Sequence, residues 1–386
     1  MNEIVGLIQN YAVRTQALLP NLMCSSLMAN NDPLLKLYPL GYEDADVIRY
    51  DQWQDPFGLA ALRGIDGPPP IITLPGIRVY QVAPGYYGNK SMIRESQIVK
   101  MREPGTANLP VELGKLMSYY MNYFITVIGN RVRQTIADLL INGTFTNTTT
   151  NATDNTSNGS IEHTYTIENY RTLSPANDGD TGPSWNLDPI NAKPINDQLF
   201  WQNFLQLGTS TSFLGDSSLV TQQSVMVDLL KTTQVQQTYR DDYGASITGP
   251  EGYNKLAQGF GLPEIEIYNE GYQPTLSDVQ NQDLSAFTRF IPPGSLIWAG
   301  KRKEGQMVGQ FLLTRSANKV ISGMPGYPEA KVSAPDAELP FSQGIYVAVY
   351  VKNQMPVEID YEIGFNAAPA SYYWASTAGI TYPVAA

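Results

Sequence analysis

The chain holds very little of the chemistry on which enzymes rely. Among its 386 residues there are one histidine, His163, and one cysteine, Cys24. A single cysteine cannot form an intrachain disulfide, and one thiol does not make a zinc site. His163 lies in a polar stretch with no nucleophile beside it, which favours an exposed or turn-packed imidazole over a general base. We expect no catalytic site, no cofactor and no bound metal.

Positive charge and long apolar runs are scarce as well. The net charge is −11 and the isoelectric point about 4.7, which argues against a nucleic-acid-binding module. Asn2 and Glu3 interrupt any apolar core near the start, and no apolar run approaches the roughly 20 residues that cross a bilayer. We therefore expect a protein that is made and stays in a cytoplasm and has no membrane segment.

What the sequence does contain begins with an arm of two strands. Residues 77–82 alternate β-branched or aromatic side chains with polar ones, and residues 92–101 repeat this pattern after Gly- and Pro-rich turn signals at 84–89. The pattern predicts a hairpin. Two strands alone bury too little apolar area to offset the entropy of ordering them, so we expect another surface to hold the hairpin.

A very long amphipathic helix is predicted next. Asn108 and Pro110 are typical of a helix start and Gly143 of a helix end, and the apolar residues between them recur every three or four positions. A helix over 110–142 would span roughly 50 Å, longer than the diameter of a small domain. The side chains expected against the subunit's own sheet are Leu116, Tyr120, Phe124, Val127 and Val132.

Three further stretches have a strand or loop character. Residues 144–160 are rich in Thr and Asn and predict either a polar low-complexity loop or an extended hairpin. Residues 344–351 form an apolar run of strand length, and 357–365 follow it after a turn. We expect these last two strands to complete the sheet on which the long helix lies.

An acidic row lies on the second of these strands. Glu358, Asp360 and Glu362 alternate along it, so their side chains share one face. Three interpretations remain open for this row. It forms a solvent-facing ladder, or it pairs with Arg or Lys of a neighbouring subunit, for instance Arg94 or Lys100, or, as a third option, it is a cation site.

Motifs at the ends of the arm and of the helix resemble a known family. The arm ends in Met-Arg-Glu-Pro-Gly-Thr at 101–106, the helix begins with Leu109 and Pro110, and it closes with Ala-Asp-Leu-Leu-Ile-Asn-Gly-Thr-Phe at 137–145. These residues resemble the major capsid proteins of tailed phages, in particular the lambda-type major capsid protein E family.

The downstream half of the chain agrees with this resemblance. Stretches at 261–269, 290–298 and 305–314 resemble consecutive strands of the family's axial domain, and they follow predicted helices at 200–207, 217–231 and 251–260. The resemblance thus covers about residues 72–314.

The resemblance implies an α+β chain with the Hong Kong 97-type phage capsid fold. This fold combines an N-terminal arm, an extended E-loop hairpin, a spine helix, a peripheral (P) domain sheet and an axial (A) domain. The implied boundaries are 1–69 for the N-terminal arm, 70–107 for the E-loop hairpin, 108–143 for the spine helix of the P domain, 144–198 for P-domain strands with a polar insertion, 199–336 for the A domain, and 337–386 for P-domain strands and the C-terminal tail.

The resemblance also implies a function. It predicts the major capsid protein of a tailed double-stranded DNA bacteriophage, self-assembling as hexamers and pentamers into the icosahedral head that encloses the genome without binding it specifically. The implied partners are further copies of the chain and, as separate proteins, scaffold, portal and decoration or cement proteins. The expected location is the virion capsid, after assembly in the host bacterial cytoplasm. No long charged helical segment precedes the arm, so we expect the mature shell to contain the full-length chain.

The arm is the expected contact between subunits. The hairpin has little partner surface in its own chain, so we expect four of its polar residues to touch a different subunit. These residues are Arg94, Glu95, Lys100 and Arg102.

Two other interpretations share some of these features. An encapsulin, the shell protein of a cellular nanocompartment, has the same fold, although it is usually shorter and lacks the Thr/Asn-rich insertion. An all-β carbohydrate-binding or glycosidase domain would explain the many Tyr, Trp and Asn residues, but it leaves no place for the long helix at 110–142.

Overall fold

The structure is a computed structural model in which part of the chain is described. The described residues are 32–53, 77–96, 113–150, 157–168, 170–175, 184–208, 217–273, 286–300, 308–314, 345–354, 357–372 and 377–384.

Helices and strands are both abundant in these residues. The helices are α1 (Pro33–Leu37), α2 (Leu113–Asn142), α3 (Pro194–Gly208), α4 (Gln223–Lys231), α5 (Thr233–Tyr243) and α6 (Gly249–Gly259). The strands are β1 (Leu40–Glu43), β2 (Ile48–Trp53), β3 (Ile77–Val82), β4 (Gly85–Arg94), β5 (Thr144–Thr150), β6 (Ser157–Thr166), β7 (Arg171–Leu173), β8 (Ser217–Thr221), β9 (Glu264–Ile267), β10 (Gly271–Tyr272), β11 (Thr288–Arg289), β12 (Ser295–Gly300), β13 (Gly309–Thr314), β14 (Ile345–Gln354), β15 (Val357–Ser371) and β16 (Thr377–Thr381). The long helix and its shorter companions make the all-β interpretation wrong.

The long helix predicted from the apolar spacing is present. It is continuous from Leu113 to Asn142, so the prediction is confirmed over these residues, while 110–112 lie outside the described part of the chain. The helix ends at Gly143, whose φ of 70° is a conformation that other residues rarely adopt. The amide of Gly143 donates to the Leu139 carbonyl at 2.8 Å, which closes the last turn.

The expected core residues of this helix differ in how deeply they are buried. Phe124 and Val132 are each 1% exposed, and Val127 is half-buried. The side chains of Leu116 and Tyr120 lie outside the described part of the structure.

The chain forms two compact units, the first of which consists of residues 1–48, 82–134 and 310–370. Its five-stranded sheet has the order β1-β13-β15-β14, and β4 also pairs with β15. β4 and β14 both run antiparallel to the same stretch of β15, so they lie on its two edges. The helix packs on this sheet, because Arg131 lies over the ring of Tyr87, which in turn stacks on Phe365 at 5.0 Å.

A buried ion pair joins the start of α1 to the long helix in this unit. One oxygen of Asp32 accepts from the Leu34 amide at 2.9 Å and caps α1. The other oxygen accepts from Arg133 Nε at 2.6 Å, and the two side chains are only 2% and 8% exposed.

The second unit consists of residues 49–81, 135–309 and 371–386. Its sheet has the order β7-β16-β12-β8-β9, and every residue of the central strand β12 is buried. Helices α3 to α6 close the core, with Trp201, Leu229, Val235 and Leu256 fully enclosed together with Trp298 of β12.

The Thr/Asn-rich stretch forms a hairpin in this second unit. β5 and β6 pair antiparallel, so the hairpin interpretation is confirmed over the described residues. Phe145 and Tyr165 stack at 6.2 Å on the buried face. The opposite face exposes threonines in cross-strand pairs, Thr144 with Thr166 and Thr146 with Thr164.

The predicted arm hairpin is wrong in its pairing. β3 covers the predicted first strand, but its partner is β2, and the next strand, β4, begins at Gly85 and ends at Arg94. The predicted turn at 84–89 therefore lies largely within a strand. Glycine weakens a strand without preventing it, and the long strand β15 offers ten consecutive pairing positions to β4.

Several elements further along also differ from the expectation. The first five residues of the predicted helix at 217–231 form β8. β13, expected among the axial strands, pairs with β1 in the first unit. β16, in the stretch expected to be the C-terminal tail, is an inner strand of the second unit's sheet. These strands are only five or six residues long, so their partners, more than their own patterns, determine where they lie.

Candidate inter-subunit surfaces

The first strand of the arm is held by residues of its own chain. In the second unit Tyr50 of β2 stacks on Tyr80 of β3 at 5.6 Å, and Tyr372 meets Tyr50 edge-on at 6.1 Å. Burial raises the pKa of Tyr50 to about 12. Tyr80 donates a hydrogen bond to Glu168, and Arg78 lies 3.4 Å from the same carboxylate. The expectation that the arm has little partner surface in its own chain is therefore wrong for β3.

The second strand of the arm brings predicted site residues together. In the β4–β15 register Arg94 is directly opposite Glu358, and Lys90 is opposite Glu362, with Met92 opposite Asp360 between them. Arg94 and Glu358, both expected to meet a neighbouring subunit, are thus cross-strand partners within one chain.

The other predicted contact residues are less fully described. Glu95 is exposed just after β4. Lys100 and Arg102 lie outside the described residues, as do the side chains of Asp360 and Glu362. Their contact with a neighbour stays a prediction.

A polar network that the sequence did not reveal lies inside the second unit. The Asp228 carboxylate accepts hydrogen bonds from Asn186 Nδ2 at 2.8 Å and from the Tyr382 hydroxyl at 3.0 Å. Burial, together with the adjacent Asp228, raises the pKa of Tyr382. Nearby, Trp185 Nε1 donates to Asp197 at 2.8 Å, and both side chains are fully buried. The network fixes the turn that contains Trp185 and Asn186 onto α3 and α4.

This turn also presents apolar side chains to solvent. Leu187 is 57% and Ile190 is 74% exposed, and Val227 of α4 is 41% exposed. Exposed aliphatic residues in a loop leave no periodic signal, which is why sequence patterns did not point to them.

Among the described residues no three or more His, Cys, Asp or Glu side chains gather where they could hold a metal ion. None of the described helices combines the length and hydropathy required to cross a membrane.

Comparison with known proteins gives a likeness at the level of structure. No protein-family model and no curated protein matches the chain. The fold is similar to that of a protein assigned as the capsid protein of a prophage in E. coli CFT073, with 12% identity, a TM-score of 0.53, and coverage of 94% of this chain and 98% of that chain. It is also similar to a phage-related protein from Bordetella bronchiseptica RB50, with 9% identity, a TM-score of 0.52, and coverage of 95% and 98%. The predicted α+β, Hong Kong 97-type fold is confirmed as the overall fold.

Proposed function

We propose that this chain is the major capsid protein of a tailed double-stranded DNA bacteriophage. The observation that carries the proposal is the likeness to the protein assigned as a prophage capsid protein, which extends over 94% of this chain and 98% of that one. The motifs at 101–106 and 137–145, which border the long helix, support the same assignment from the sequence.

The function of such a protein is to assemble into a shell. Many copies close into an icosahedral shell of hexamers and pentamers through head-to-tail contacts whose rotation closes a ring. Permanent assemblies of this kind bury more than about 2,000 Å² at their interfaces. The shell encloses the genome without binding it specifically, in keeping with a net charge of −11.

Exposed apolar side chains support contacts with neighbouring copies. Among the described residues, five large apolar side chains are more than half exposed, and they occur on the arm strands, on the long helix and on the turn before α3. They are Val79, Tyr86, Tyr119, Leu187 and Ile190. Aromatic and aliphatic anchors of this type are what interface centres use.

The arm contributes to these contacts from the end of β4 onward in this proposal. In it Arg94, Glu95, Lys100 and Arg102 touch a neighbouring subunit, and Arg94 also lies opposite Glu358 in the register of its own sheet. The particle contains separate scaffold, portal and decoration or cement proteins during or after assembly. It is assembled in the host bacterial cytoplasm and the chain ends up in the virion.

Electron microscopy tests the proposal directly. The chain, expressed in bacteria and purified, is examined by negative staining and by size-exclusion chromatography, with closed shells or separate hexamers and pentamers as the expected result. A monodisperse monomer at all concentrations would contradict it. Particles that hold a cargo enzyme instead of DNA when isolated from their native source would favour the encapsulin.

A further inference from the structure

One surface of the second unit exposes apolar side chains on a turn that hydrogen bonds hold in place. We define the turn surface as Leu187 and Ile190 of the turn before α3, Val227 of α4, and the lysines Lys193 and Lys231. Ile190 is 74% exposed, the highest value among the large apolar side chains of the described residues. All five residues lie in or beside segments that are joined by hydrogen bonds.

Hydrogen bonds hold this turn in one conformation. Trp185 and Asn186 anchor its start through Asp197 and Asp228, each at 2.8 Å. The Pro189 carbonyl accepts from the Thr233 amide at 3.0 Å, which joins the turn to the start of α5. A surface that is already ordered in the free subunit loses little conformational entropy on binding.

Two lysines give the turn surface a basic rim. Lys193 follows Ile190 by three residues and is exposed. Lys231 lies one helical turn after Val227, on the same exposed side of α4. In a chain with net charge −11, this rim complements the predominantly acidic surface of another copy.

The other end of α5 has the opposite character. We define the acidic end as Asp241, Asp242 and Tyr243 in the last turn of α5 and Glu251 in the first turn of α6, all exposed. These three carboxylates outnumber two nearby cations, Arg240 and Lys255, the latter on α6 with its carbonyl beside the Tyr243 hydroxyl. Tyr243 is 49% exposed and packs against Tyr239 with ring centres 4.7 Å apart.

The two surfaces therefore lie at the two ends of one helix. α5 has 11 residues and is about 16 Å long, and its first residue, Thr233, is bonded to the turn. An apolar, basic patch at one end and an aromatic, acidic patch at the other are what a head-to-tail contact between identical subunits requires.

We propose that the turn surface of one copy docks on the acidic end of α5 in the next copy, and that this contact closes the ring of subunits. The inference rests on the proposed shell function and names the surfaces that perform it. Ile190 and Leu187 pack against Tyr243, and Lys193 and Lys231 pair with the carboxylates around it.

Charge exchange between two variants tests the direction of the contact. Lys193→Glu with Lys231→Glu makes both surfaces acidic, and Asp241→Lys with Asp242→Lys makes both basic. Each double variant alone loses closed particles and rings, because like charges meet at every contact. Mixed in equal amounts, the two variants assemble in alternation, and the fourfold variant with exchanged charges assembles alone.

Whether a ring has an even or an odd number of subunits provides a further test. Alternation fits a six-membered ring but leaves one mismatched contact in a five-membered ring, so native mass spectrometry of the mixture should find hexamers enriched over pentamers. If neither the mixture nor the fourfold variant assembles, or if each double variant assembles as well as the unchanged chain, the contact is not the one proposed.

An apolar variant tests the centre of the surface. Ile190→Asp should abolish closed particles while the melting temperature stays that of the unchanged chain, since the side chain is mostly exposed. Val47→Asp is the matched control, because Val47 is 40% exposed and lies outside both surfaces, and it should assemble normally. Normal assembly of Ile190→Asp would overturn the inference.

The same experiments separate this inference from the function on which it rests. If the unchanged chain forms shells or rings and the variants do as well, the shell function stands and these surfaces are wrong. If the unchanged chain forms neither, the shell function fails and the inference falls with it.

Discussion

Asp32 and Arg133 form a buried ion pair in which each charge compensates the other. Their side chains are 2% and 8% exposed and joined at 2.6 Å, so water cannot replace either partner. Nothing in the sequence joins these positions, which are about a hundred residues apart. Folding brings the two residues together, and their ion pair then stabilises the fold.

Removing one partner of this pair should be costly. Asp32→Ala leaves the enclosed guanidinium without the carboxylate that accepts from its Nε, and we expect a loss of about 3–5 kcal/mol in the free energy of unfolding. Urea unfolding measures it. Arg78→Ala is the control, because its pair with Glu168 is exposed on both sides (62% and 54%), where water and salt screen the charges, and it should contribute little. Equal losses in the two variants would show that burial of the first pair is not maintained in solution.

Gly379 lies so close to the backbone of the long helix that a side chain there would clash with it. A Cβ added there would lie 1.9 Å from the backbone oxygen of Ile141, at the end of the long helix. Gly379→Ala should therefore push this helix away from β16 and lower the free energy of unfolding by about 1–3 kcal/mol or more. Gly259→Ala, at a helical glycine with nothing within 4 Å, should be neutral or stabilising by up to about 1 kcal/mol. We expect the melting temperature to fall for Gly379→Ala and to stay unchanged or rise for Gly259→Ala.

At the scale of elements, strand β15 organises the first unit. β4 lies on one of its edges and β14 on the other, so its 15 residues support two neighbours over most of its length. In the register of these two strands Arg94 lies opposite Glu358 and Lys90 opposite Glu362, and a slip by one residue would separate both pairs of positions.

A double-mutant cycle examines the β4–β15 register. Arg94→Glu places like charges opposite each other at Glu358 and should cost about 0.2–1 kcal/mol, as should Glu358→Arg. The exchanged pair, Arg94→Glu with Glu358→Arg, should recover most of this loss. Additive losses in the cycle would mean that the two side chains do not interact in solution.

The long helix offers a test of its buried face. Phe124 is 1% exposed, and Phe124→Ala should cost about 3–5 kcal/mol of unfolding free energy. Tyr119→Ala is the matched control on the same helix, since Tyr119 is 64% exposed and its loss should stay within about 0.5 kcal/mol. A Phe124 variant as stable as the Tyr119 variant would contradict the packing of the helix on its sheet.

At the scale of the whole molecule, each compact unit is built from three separate stretches of chain. Neither unit can form from a continuous segment, so both need distant parts of the chain before their sheets close.

Charge reversal in the arm tests assembly separately from folding. Lys100→Glu with Arg102→Glu should leave a soluble, folded subunit that fails to form closed shells at physiological salt, because the arm then repels the acidic surface of its neighbour. Circular dichroism and electron microscopy of the same sample report the two properties. Reversal at the exposed residues Lys36 and Arg49 is the control and should leave assembly intact. Normal shells from the arm variant would show that these residues are not the contact.

Local patterns were informative where an element is long and periodic. The apolar spacing predicted the long helix over 110–142, and Gly143 marked its end, because a helix of this length repeats its signal many times. The pairing of the arm could not be predicted, because strands of six to ten residues match several partners equally well. The exposed residues Leu187 and Ile190 carried no pattern at all.

The sequence by itself determined the class of the chain. The long helix and the motifs that border it were sufficient to indicate an α+β chain that resembles capsid subunits, and one His and one Cys left few candidates for catalysis. Only the tertiary structure decided which strands pair, that Arg94 faces Glu358, and that Asp32 meets Arg133. The physical reason is that composition and helical periodicity are local properties, whereas strand partners and buried charge pairs depend on which distant residues the closed core brings within bonding distance.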